Sequence, residues 1–141
     1  MRGERGIRHL AALALAAALV SCGSERTFTA SEFVDDVNEQ GVSLRLGREL
    51  ETTGDAEQLY AVTLPPLPGE PRPESEHEGG GGASGSLYVY ADTGGASEQL
   101  DACRASAGLI CFRAANVVVV LDEESGALGV QRLAVAIKAL E

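Results

Sequence analysis

The sequence predicts an α+β fold, a two-layer sandwich with elements in the order α-β-β-β-α-β-β-α. Three observations carry that expectation. Residues 29–40 combine a full set of helix-start signals with an amphipathic pattern. Residues 96–107 and 127–140 repeat apolar side chains at helical spacing. Between these stretches lie short aliphatic runs bounded by Gly, Pro and Asp, the mark of strands joined by turns. Mixed strands with helices on one face make a two-layer sandwich.

The first helix is the best specified. Thr29 and Glu32 stand in capping-box spacing, where each side chain satisfies a free backbone donor of the first turn. Phe28 and Phe33 occupy the two positions of a hydrophobic staple. Phe33, Val34 and Val37 form the apolar stripe, and Gly41 can take the left-handed conformation that ends the helix. Val42, Leu44 and Leu46 then alternate with Ser43 and Arg45, which predicts a half-buried strand over 42–46. Residues 47–56 are polar and read as a turn. A second strand spans 59–64 and stops at Pro65-Pro66, which lack the N–H that a ladder needs.

Residues 68–86 combine repeated Pro, a charge run, four successive glycines and a Gly-Ser end. That composition cannot bury a core, so the stretch reads as a long disordered insertion at a hairpin tip. Residues 28–141 therefore make a single domain that carries this insertion. The third strand is 87–91, with Tyr88 and Tyr90 on one face. The helix over 96–107 aligns Ala96, Leu100, Cys103 and Ala107, and Gly108 ends it. A short strand at 109–113 turns tightly into 116–121. The four valines there predict a central strand buried on both faces. The last helix, 127–140, buries Val130, Leu133, Ala134, Ile137 and Leu140, with Gly129 weakening its first turn.

The N-terminal residues have a different character. Arg2, Arg5 and Arg8 precede an uninterrupted apolar run over 10–20, then the small Ser21 and Cys22. Charge, apolar run and small residue are the three parts of a signal peptide, and the run is shorter than the roughly 20 residues of a membrane-spanning helix. Leu19-Val20-Ser21-Cys22 resembles a bacterial lipoprotein lipobox. The resemblance implies a diacylglyceryl group on the Cys22 thiol and removal of residues 1–21. It also implies a short tether at 22–27 and a protein lipid-anchored at the outer face of the cell membrane. An ordinary secretory signal, cleaved elsewhere and leaving Cys22 free, is the alternative. The capped first helix, the Tyr-x-Tyr strand and the Val-rich hairpin are similar to small uncharacterised envelope lipoproteins of high-GC Gram-positive bacteria, a resemblance covering about 28–141. It implies location and fold and carries over no site residue.

Processing before Cys22 would leave 120 residues, and the formal net charge would move from −10 to −12 as three arginines and one glutamate depart. So acidic a body argues against a nucleic-acid partner, which needs clustered Lys and Arg. It equally argues against charge-driven docking on anionic lipid heads. His77 would be the one histidine left, which removes histidine-based triads and His-rich zinc sites from the folded body.

Four candidate constellations remain. Cys103 and Cys111, an even pair once Cys22 carries lipid, are expected as a disulfide that closes the second helix on its strand; two separate buried thiols are the alternative. Tyr60, Tyr88 and Tyr90 form a candidate binding surface for a peptide, glycan or envelope protein if the sheet has an open face, and otherwise pack beneath the helices. Asp92-Thr93-Gly94 resembles the triplet of aspartic proteases, whose chemistry needs a second carboxylate. The helical pattern that follows, in place of a strand and flap, favours the capped turn into a helix. Glu74, Glu76, His77 and Glu78 fall in the insertion and read as a solvated charge run, not a preformed metal site. No cofactor is expected. The leading expectation is a membrane-anchored lipoprotein with a non-enzymatic binding domain. The alternatives are an envelope hydrolase using carboxylates such as Asp92, and a structural spacer.

Overall fold

A computed structural model of the chain describes residues 26–52, 54–66, 82–122 and 127–141. The lipobox, Cys22, most of the insertion and the Glu74–His77–Glu78 run lie outside the described residues. The elements are α1 (Ala30–Glu39), β1 (Arg45–Leu50), β2 (Gln58–Leu64), β3 (Ala83–Val89), α2 (Thr93–Arg104), β4 (Leu109–Ala114), β5 (Val117–Asp122) and α3 (Ala127–Lys138). Class and order are those the sequence predicts. The five strands form one antiparallel sheet in the order β1-β2-β3-β5-β4.

α1 starts as its sequence dictates. The Thr29 hydroxyl accepts from the Glu32 N–H at 3.3 Å, and the Glu32 carboxylate accepts from the Thr29 N–H at 2.9 Å. Phe28 and Phe33 meet edge to face with ring centroids 6.0 Å apart, and the Arg26 guanidinium lies 4.3 Å above the Phe28 ring. Arg26 also pairs with Asp36 one turn further on. Gly41, at φ +88°, ends the helix in a conformation that other residues adopt only with strain.

Cross-strand partners share a face, so the registers fix what each side of the sheet carries. Val62, Leu87, Val117, Val119 and Leu121 point to the main core, where Phe33, Val37, Leu133 and Ile137 of α1 and α3 cover them. Val118 and Val120 point the other way, towards Ala96 of α2 and Tyr90. The expected helical layer on one face is present in α1 and α3, whereas α2, expected on the same face, covers part of the other. The reason lies in β5: Val117, Val118 and Val119 are each at most 1% exposed, which requires cover on both faces.

Two boundaries differ from the sequence reading. The strand expected at 42–46 begins instead at Arg45 and runs to Leu50, through residues read as a turn. Leu44 stays outside the ladder because the Asn38 carboxamide takes its backbone: Nδ2 donates to the Leu44 carbonyl at 2.9 Å and Oδ1 accepts from its N–H at 2.8 Å. β1 passes its neighbour with a register shift between Leu46 and Glu49, a bulge typical of edge strands. The insertion expected over 68–86 is also shorter, since β3 starts at Ala83. Ser84, Gly85 and Ser86 pair with β2, and Gly85 and Ser86 pair with β5 as well. Gly85 belongs to the sheet through close packing, because a Cβ there would collide with the Val120 carbonyl oxygen.

Candidate functional site

The three tyrosines do not form one strip. Tyr60 pairs with Leu87 and packs half-buried against the main core. Tyr88 pairs with Leu59 and Val118 on the opposite face, beside α2. Tyr90 follows β3 on the Tyr88 side and is buried against Ala96 and Val118. Burial, and then the neighbouring Tyr88 and Asp55, push the Tyr90 hydroxyl above the usual tyrosine pKa range. The expectation of a shared surface from Tyr60, Tyr88 and Tyr90 is corrected by the register, which sends Tyr60 to the covered side. Tyr88 remains, half-buried. It lies at the margin of a part of its face bearing Ala61, Thr63, Ser84 and Ser86, of which Thr63 and Ser84 are exposed. α2 packs against β4 and β5, so among the described residues its cover lies mainly on that half of the face and not on the β1–β3 half.

Cys103 and Cys111 form a disulfide, with Cα atoms 6.1 Å apart. Cys103 is buried late in α2, and Cys111 pairs with Val120 on the face that α2 covers. The bond therefore holds the end of α2 to the edge strand β4. Asp92 caps α2, its carboxylate accepting from the Gly95 N–H at 3.0 Å. This is the turn role its sequence context allows, and Asp92 lines neither of the two clefts described next. Among the described residues no group of three His, Cys, Asp or Glu side chains is placed to hold a metal ion.

Among the described residues two clefts flank α3. The smaller, about 130 Å³, lies where the start of α3 meets the end of β2 and the approach to β1. Leu64, Pro65 and Pro66 wall it, and Ser43, Arg45 and Arg132 border it. Gly129, in the first turn of α3, forms part of its lining. The larger, shallower one joins Gln40 and Gly41 at the end of α1 to Leu128, Gln131 and Val135. Leu128 and Val135 are 55% and 71% exposed, an apolar pair on one stripe of α3. Arg132 borders both clefts.

Sequence reasoning missed the roles of four residues that matter here. Asn116 is the buried polar residue among those described, and its carboxamide joins three segments. Arg45 and Arg132 are far apart in the chain, and no local signal pairs them. Gly129 was legible only as a weak helix former, whereas its Cβ would lie 3.2 Å from Leu64 Cδ2, so the missing side chain lets α3 approach β2.

Comparison of the chain with family models, with curated proteins and with solved structures finds no match in any of the three. Among the described residues no helix is long and apolar enough to cross a membrane. Function must therefore be argued from the chain's own residues.

Proposed function

We propose that this chain is a lipid-anchored lipoprotein of the cell envelope whose domain binds a partner and carries out no chemistry of its own. The Leu19-Val20-Ser21-Cys22 sequence supports the anchor, and the Cys103–Cys111 bond is the observation that carries the exported setting. Disulfides persist in oxidising compartments and are rare in the cytosol. With Cys22 carrying lipid, the other two cysteines form a closed pair, so all three have a role. Two acyl chains hold a protein far better than one, so the anchor needs no help from the acidic body.

The binding role draws on the β1–β3 half of the sheet face beside Tyr88, where Thr63 and Ser84 are exposed among the described residues, and on the clefts flanking α3. An envelope protein, a peptide or a glycan is the class of partner such a surface takes: one aromatic body set among small hydroxyl side chains. The test is metabolic labelling with palmitate, followed by crosslinking in cells. Label on the parent and none on Cys22→Ala, with release of that variant from the membrane fraction, is expected. Continued labelling of the variant overturns the anchor. A crosslinked partner lost in Tyr88→Ala is expected of the binding surface, and an unchanged pattern overturns it.

A further inference from the structure

The sheet has two edge strands, β1 and β4, and they differ in kind. β1 carries features that keep an edge from pairing: the register shift between Leu46 and Glu49, and the charges of Arg45, Arg48 and Glu49. β4 carries a single charge, Arg113, among Leu109, Ile110, Cys111, Phe112 and Ala114. Its six residues pair with β5 without a shift. No strand lies on its outer side. Among the described residues no backbone hydrogen bond outside the sheet involves residues 109–114. Residues 109–113 stay partly exposed, while Val117, Val118 and Val119 of the neighbouring β5 are at most 1% exposed.

The hairpin fixes which backbone groups of β4 face outward. β4 and β5 join through Ala115 and Asn116, so Ala114 and Val117 form the hydrogen-bonded pair that closes a two-residue loop. Alternation then turns the N–H and C=O of Leu109, Cys111 and Arg113 away from β5. A straight, mostly apolar edge with such groups is a template for one more strand. α2 and α3 both pack against β4, so an added strand meets the backbone edge between two helical layers.

β4 is its own complement. Opposite residues of an antiparallel pair share a face, so a two-fold axis normal to the sheet passes through a residue of β4. Through Cys111, that axis pairs all three outward-facing residues. Cys111 faces Cys111 of the second copy, and Leu109 faces Arg113 of the second copy. Ile110 falls opposite Phe112 on the main-core face, an aliphatic–aromatic pair made twice. No charge of β4 meets its like.

We propose that β4 pairs antiparallel with β4 of a second copy in this register, joining the two sheets into one. The contact is isologous, so it closes at a dimer. It depends neither on the Cys22 anchor nor on the surface beside Tyr88.

The experiment measures protein mass by light scattering on the chain extracted from membranes into excess detergent micelles, over a dilution series at low and high salt. Two chains per particle, falling to one on dilution, are expected. Residues 22–141 hold 20 acidic and 8 basic side chains, so copies repel and added salt is expected to favour the pair. Amide exchange at Leu109, Cys111 and Arg113 is expected to slow in the pair, with β1 unchanged. Leu109 is 37% exposed, so a lysine there stays in water in the single chain. Leu109→Lys sets like charges opposite each other at two symmetric places and is expected to weaken pairing about tenfold or more. Adding Arg113→Glu makes those pairs opposite in charge and is expected to recover most of the loss, which a misfolded variant would not do. One chain per particle throughout overturns the proposal. So does a pair that Leu109→Lys leaves intact, a double variant that recovers nothing, or β4 amides that exchange as fast in the pair as in the single chain.

Discussion

The side-chain carboxamide of Asn116 takes both backbone groups of Phe28. Its Oδ1 accepts from the Phe28 N–H at 2.7 Å, and its Nδ2 donates to the Phe28 carbonyl at 3.0 Å. The same Nδ2 donates to the Tyr90 carbonyl at 2.9 Å. Asn38 does the same to Leu44 at the far end of α1. Two asparagines thus act as short lengths of strand, fixing the segment that carries α1 where no ladder reaches it. Phe28 in turn sets the staple with Phe33 and stands beneath Arg26.

Asn116→Ala leaves three buried backbone groups without their partner. Each unsatisfied group costs about 1–3 kcal/mol, partly relieved by water entry, so a loss of roughly 3 kcal/mol is expected by denaturant unfolding. A loss below about 1 kcal/mol would show that Phe28 finds other partners. Asn38→Ala is expected to cost less, because that bracket is only partly buried.

Reduction of the Cys103–Cys111 bond, or Cys103→Ser with Cys111→Ser, removes a cross-link that closes a short loop. The expected loss is about 2–3 kcal/mol, with the end of α2 gaining the most in amide exchange. Exchange that rises evenly along the chain would contradict a local clamp.

Ala115 sits at φ +48° in the two-residue connection between β4 and β5. A left-handed conformation costs a residue with a Cβ about 1 kcal/mol and a β-branched one more. Ala115→Gly is therefore expected to be at least as stable as the parent, and Ala115→Val less stable by roughly 1–2 kcal/mol in thermal unfolding. The reverse order would place the connection in another conformation.

The Thr29 backbone N–H, followed by its hydroxyl, holds the Glu32 carboxyl below its ordinary value of 4.5. A folded-state pKa below the unfolded one means that this capping contribution is present above pH 4.5 and is lost as pH falls through the folded value. Thr29→Ala removes the hydroxyl share and is expected to move the Glu32 titration, followed by carboxyl-carbon NMR, part of the way back. An unmoved titration would mean that the hydroxyl contributes nothing.

What the sequence made legible follows from how local each cause is. The caps and staple of α1 act within one turn, so α1 could be read almost to the residue. The valines of β5 announced burial on both faces, and α2 supplies the cover for one of them. The start of β1 was hidden because a side chain, Asn38, satisfies Leu44. The start of β3 was hidden because Gly85 resembles linker composition, while its real cause is the Val120 backbone next to it. Alternation places Tyr88 and Tyr90 together, but the side on which Tyr60 falls depends on the register Tyr60–Leu87, which no short stretch encodes.

Cys22 as the lipid anchor, with Cys103 and Cys111 as a closed pair, is the central assignment for this chain. The intact mass of the protein extracted from the membrane fraction tests both at once. The predicted mass lacks residues 1–21, carries a diacylglyceryl group on Cys22, and is lower by two hydrogen atoms than that of the reduced chain. A mass that retains Met1, or one that shows Cys22 unmodified, would contradict it.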